Sequence, residues 1–229
     1  MKQIELNVED RTQMNCVLSE PKGAARAAVI ILQEAFGVNV HIKGLVEQYA
    51  LEGFLAIAPE LYHRTAPPGW TCGYDQFSLA QGHYSSVNAS GIIQDVRACF
   101  DYLRENFKIE AVATVGFCMG GKASFIANSE VPLKAAVSYY GGGIARDHLH
   151  LAAKQKSPIL MIWGGLDSHI SVGQVRSIED KLTDAKKVFS NLVISNGEHG
   201  FATEDRKAYH PGAARLAWAA SLEFLKTHL

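Results

Sequence analysis

Short, mostly apolar runs alternate along the chain with segments whose apolar residues return every three or four positions. The run at 27–32 (AAVIIL) lacks the polar alternation of a half-exposed strand, so it reads as a parallel strand covered on both faces, and 54–58, 111–115, 135–139, 159–162 and 188–194 read as further strands. Two strands of mixed polarity precede them, at 3–8 and 12–19. Between the runs, 40–51 predicts a helix stopped by Gly53, and 90–105 predicts another with Ile92, Ile93, Val96, Cys99, Phe100 and Leu103 on one stripe. A last helix is expected over 213–226. Alternating elements of these lengths predict an α/β fold, a mostly parallel sheet with helices on both faces. The segment 60–88 breaks the rhythm with Pro67, Pro68, Gly69, Gly73 and Gly82, and reads as a lid with a short helix near 75–80.

No linker-like shift or repeat interrupts this pattern, so the 229 residues are expected to form one domain. The formal net charge of -1 provides no field to draw nucleic acid or an anionic membrane, and neither is expected as a partner. No stretch of 18 or more apolar residues occurs, and the N-terminus lacks the basic start and apolar run of a secretory signal. A cytoplasmic location follows as the expectation. The four cysteines, Cys16, Cys72, Cys99 and Cys118, are widely spaced, and in that compartment they are expected as free thiols. No CxxC motif points to zinc, and the pair His148 and His150 lacks further ligands nearby, so no metal is expected. Nothing in the sequence separates a monomer from a small homo-oligomer.

Chemistry concentrates in VATVGFCMGGKASF (residues 112, 113 and onward). An apolar strand runs into Gly116-Phe117-Cys118-Met119-Gly120, and a helix follows. This is the G-x-nucleophile-x-G elbow, with cysteine in place of the commoner serine. A strand and helix crossing this closely leave no room for side chains at Gly116 and Gly120. The helix N-terminus favours negative charge at Cys118, and the N–H of Met119 is a candidate oxyanion donor. Alone, the motif also fits a packing turn with an inert cysteine.

In such a fold the acid follows the nucleophile and the histidine follows the acid, each after a strand. Asp167 ends the run SPILMIWGGLD, and a cap for the helix after it is the alternative role. Among nine histidines, only His199, in NGEHGF after the last strand, meets the topology. His169, two residues from Asp167, is assigned to the pocket wall.

With these sites in place the chain resembles the dienelactone hydrolase family over nearly its full length. The matching segments are LQEAFGVN, APELYHR, GFCMGG, YYGGG, GGLD and GEHGF. The resemblance implies an eight-stranded α/β-hydrolase core and hydrolysis of lactones or related small esters without a cofactor. It also implies that Glu34 holds the resting thiol and turns away when substrate arrives, with the N–H of Ala35 as second oxyanion donor. A Glu34 that merely caps the first helix is the alternative. The remaining pocket candidates are Tyr62, Arg64, His83, Tyr84, Tyr140, Phe201 and Thr203.

One departure bears on the substrate. The family places a carboxylate-clamping arginine four residues after the histidine, where this chain has Thr203, and a second on the lid, where this chain has no arginine between Arg64 and Arg97. Arg206 lies three residues further, an offset from which an equivalent pose is not expected. A neutral or aromatic ester is therefore expected to suit the site at least as well as a carboxylate. A broader thiol esterase or thioesterase, and a non-catalytic binding protein of the same fold, are the competing readings.

Overall fold

The computed structural model describes residues 1–229. The strands are β1 (Lys2–Asn7), β2 (Gln13–Ser19), β3 (Ala28–Leu32), β4 (Leu55–Pro59), β5 (Val112–Phe117), β6 (Ala135–Tyr139), β7 (Ile159–Gly164) and β8 (Phe189–Ile194). The helices are α1 (Val40–Leu51), α2 (Phe77–Ser86), α3 (Ala89–Phe107), α4 (Met119–Ala127), α5 (Val172–Asp184) and α6 (Pro211–His228). All strands join one sheet in the order β1-β2-β4-β3-β5-β6-β7-β8. The first two pairings, β1 with β2 and β2 with β4, are antiparallel, and the rest are parallel. This is the eight-stranded α/β-hydrolase sheet that the family resemblance implies.

The unbroken apolar runs end up where their composition requires. Every residue of β3, β4, β5, β6 and β7 is buried, because helices cover both faces of the parallel part. The edge strand β8 is different: Ser190, Asn191 and Val193 are exposed. Cys99 faces the core from the apolar stripe of α3, as its spacing predicts. A single hydrophobic cluster extends from Leu6 to Leu225.

Most boundaries lie within a residue or two of those predicted. The largest shift is in the lid, where the helix expected at 75–80 runs over Phe77–Ser86. Only Ala80 in it is buried, so periodicity had no apolar stripe to mark its extent. The fold brings the C-terminal ends of β3, β5, β7 and β8 to one rim. That rim carries Glu34, Cys118, Asp167 and His199.

Candidate functional site

Cys118 sits between β5 and α4 with φ +54°, outside the regions open to most side chains. The strain is held in place by close packing. A Cβ at Gly116 would overlap the carbonyl of Gly120, and one at Gly120 would overlap the carbonyl of Leu32 on β3. The elbow thus lifts the thiol above the sheet at the N-terminus of α4, whose first residue is Met119.

The histidine reaches it from the loop after β8. His199 Nε2 lies 3.2 Å from Cys118 Sγ, and Nδ1 lies 2.8 Å from Asp167 Oδ2. Asp167 is fixed in turn, its Oδ1 accepting the backbone N–H groups of His169 at 2.8 Å and Ile170 at 3.1 Å. Burial opposes charge on both groups, but the contacts outweigh it. The bonds to Asp167 and Cys118, with the negative charge near them, raise the His199 pKa to about 10. For Asp167 the bond from His199 and its charge hold the carboxyl below its usual range. This geometry holds His199 as an imidazolium beside the Cys118 sulfur at neutral pH.

Glu34, only 1% exposed, is turned away from the thiol in this structure. Its Oε1 accepts from Arg206 at 2.9 Å and its Oε2 from the Thr203 hydroxyl at 3.2 Å, whereas the thiol contacts His199. A guanidinium is a stronger partner for a buried carboxylate than a thiol. Arg206 reaches Glu34 despite its offset in sequence. The backbone turns back after His199, with bonds from Thr203 N–H to the Gly200 carbonyl and from Arg206 N–H to that of Thr203. Those turns bring the guanidinium against Glu34, and it lies 5.8 Å from the ring centroids of both Phe36 and Tyr74. An offset counted along an extended chain missed that curl.

The other pocket candidates divide by burial. Arg64 points elsewhere: it pairs with Asp95 at 2.8 Å and Asp10 at 2.6 Å, drawn off by two carboxylates near α3 and the β1–β2 turn. Tyr140, Phe201 and Thr203 are fully buried. They back His199 and Glu34 rather than line a cavity, Tyr140 lying 5.1 Å from the His199 ring. Tyr62 is buried too, its hydroxyl bound to the Ala35 carbonyl. His83 stays within the lid, bonded to Thr65 and packed on Trp70. Tyr84 is half-buried under the ammonium of Lys122, which stands one helical turn beyond Cys118. His169 does border the open side. With Tyr74, His199 and Arg206 it lines a cleft of about 650 Å³.

The sequence reading missed two polar residues at the rim. His41 on α1 brings Nε2 to 3.4 Å from the Thr203 hydroxyl, and nothing in its surroundings along the chain marks it. Gln33 is buried beside Glu34, where its place in the LQEAFGVN segment was the available signal. No helix of the protein is long and apolar enough to cross a membrane.

Comparison with known proteins gives a consistent result. The model of the dienelactone hydrolase family matches residues 14–229. A Synechocystis sp. (strain ATCC 27184 / PCC 6803 / Kazusa) protein named "putative carboxymethylenebutenolidase" is 31% identical over 224 residues, covering 93% of this chain and 91% of the relative. The carboxymethylenebutenolidase of Pseudomonas putida is 27% identical over 225 residues, with 97% and 94% covered. Among solved structures, a "putative dienelactone hydrolase" from Klebsiella pneumoniae superposes with a TM-score of 0.88 at 26% identity, covering 98% of each chain.

Proposed function

The chain belongs to the dienelactone hydrolase family, and on that premise we propose that it hydrolyses a lactone or small carboxylic ester through a thioester on Cys118. The observation that carries this reading is the continuous chain of contacts from Cys118 through His199 to Asp167, at 3.2 and 2.8 Å. The thiolate attacks the carbonyl carbon, and the N–H groups of Ala35 and Met119 hold the oxyanion. As the tetrahedral adduct collapses, the C–O bond to the leaving group breaks and imidazolium His199 gives that oxygen its proton. His199, now neutral and oriented by Asp167, takes a proton from water. The resulting hydroxide attacks the thioester, the C–S bond breaks, and acid and thiolate are released. An activated ester or lactone suits a cysteine because its leaving group needs less assistance than an amine.

Arg206 supports a neutral substrate in this reading, because Glu34 already takes up its charge. A substrate carboxylate would have to displace Glu34 from it. A panel of activated esters tests the function directly. Wild-type protein should show a burst and turnover, and Cys118→Ala should show neither while remaining folded. Turnover that survives Cys118→Ala would rule the mechanism out. The neutral methyl ester of a lactone acid should be cleaved at least as efficiently as the free acid. A clear kcat/KM preference for the acid would make Arg206 a carboxylate site after all.

A further inference from the structure

The segment from Gln33 to Gly37, which follows β3 and carries Ala35, is attached to the lid at several points. Gln33, 1% exposed, uses both ends of its carboxamide. Its Oε1 accepts the N–H of Leu61 at 3.1 Å, and its Nε2 donates to the carbonyl of Glu34 at 3.3 Å. The peptide between Glu34 and Ala35 is planar and trans, so holding its carbonyl sets the opposite direction of the Ala35 N–H. Beside it, the Tyr62 hydroxyl donates to the Ala35 carbonyl at 3.0 Å and lies 3.5 Å from Met119 Sδ. One hydroxyl therefore touches both residues whose N–H groups are assigned to the oxyanion. Burial keeps that phenol protonated far above neutral pH, so it remains a donor. Further along the lid, Cys72 donates its N–H to the Phe36 carbonyl at 3.3 Å, and Gly37 pairs with Thr71.

We propose that Gln33 and Tyr62 are positioning residues that aim the Ala35 N–H at the developing oxyanion. The frame of the oxyanion hole is then the root of the lid, Leu61 and Tyr62, as much as strand β3. The proposal rests on the functional reading above, in which Ala35 and Met119 supply the donors.

The test exploits a difference between two reactions of the same thiol. Alkylation by iodoacetamide displaces iodide and develops no oxyanion, whereas attack on an ester does. Tyr62→Phe removes one hydroxyl, and Gln33→Met removes the amide bridge at similar length. For each full-length variant, the pre-steady-state acylation rate with p-nitrophenyl acetate is compared with the iodoacetamide rate at Cys118, alongside Tm. Losing an oxyanion donor outright costs about 10²–10³ in rate, so misaiming one should slow acylation roughly 10- to 100-fold. Alkylation should stay within about twofold, since it draws on none of that stabilisation. A selective loss in either variant supports the proposal, and Gln33→Met carries the test if Tyr62→Phe fails to fold. Acylation at the wild-type rate in both, or a parallel loss of acylation and alkylation, overturns it. Wild-type protein that alkylates at Cys118 but never acylates would instead defeat the functional reading, and the proposal with it.

Discussion

The molecule contains two buried histidine–aspartate pairs, and they differ in what occupies the second nitrogen and the rest of the carboxylate. In one, His199 binds Asp167 at 2.8 Å and presents its other nitrogen to Cys118 at the edge of a cleft. In the other, His63 Nε2 lies 3.1 Å from Asp95, its side chain is 3% exposed, and its other ring nitrogen is buried without a partner. Asp95 is also gripped by both terminal nitrogens of Arg64, at 2.8 and 3.0 Å. A fixed cation therefore neutralises Asp95, whereas Asp167 has only a histidine and two backbone N–H groups to balance it. The first arrangement leaves charge free to move to a reacting atom. The second locks it into a tie between α3 and the root of the lid. A histidine–aspartate bond alone does not make a reactive site; on the proposed reading, a nucleophile on the free nitrogen and an uncommitted charge do.

The largest effect expected from this contrast is on turnover. Replacing His199 or Asp167 should lower kcat by about two to four orders of magnitude, and the double variant should be little worse than either, because the group acts as a unit. His63→Gln should leave kcat within about threefold, since its loss belongs to packing and not to the reacting atoms. Comparable losses at both histidines would collapse the distinction. Next in size is stability. Asp95→Asn leaves Arg64 partly buried without its strongest partner and should cost about 3 kcal/mol in denaturant unfolding, with turnover retained. An unfolding midpoint equal to wild type would mean that the Arg64 tie is idle.

A third effect is in pH dependence. The pKa of His199 rises from its ordinary value near 6.5 to about 10 on folding. Its stabilising contribution is therefore complete below pH 6.5 and disappears as the pH climbs towards 10. The Tm gap between wild type and His199→Gln should narrow across that window. A gap that widens or stays constant would show that His199 is not held as an imidazolium.

The sequence disclosed features carried by composition and order. Mostly apolar runs marked β3 to β7 because both their faces are covered, and the elbow was legible because glycine is forced at the Gly116–Gly120 crossing. Asp167 and His199 followed from strand order. Features that depend on a turn's path were hidden. The place of Arg206 depends on two successive turns that an offset does not report, and Arg64 was placed in the pocket because Asp10 and Asp95 are far away in sequence. The buried positions of Tyr140, Phe201 and Thr203 follow from neighbours on other elements, which no local pattern encodes.

The crossing at Gly116 and Gly120 also bears on how such a protein can change over generations. Backbone occupies the space on each side of those two residues, so every single-residue replacement there, even alanine, meets a carbonyl that cannot step aside. The Cys118 side chain meets only His199 at hydrogen-bonding distance, and the residue is only partly buried. A lineage can therefore sample a hydroxyl in place of the thiol at little cost to folding, while the glycines around it stay closed to variation. In such a lineage the reacting atom is more free to drift than the frame that presents it.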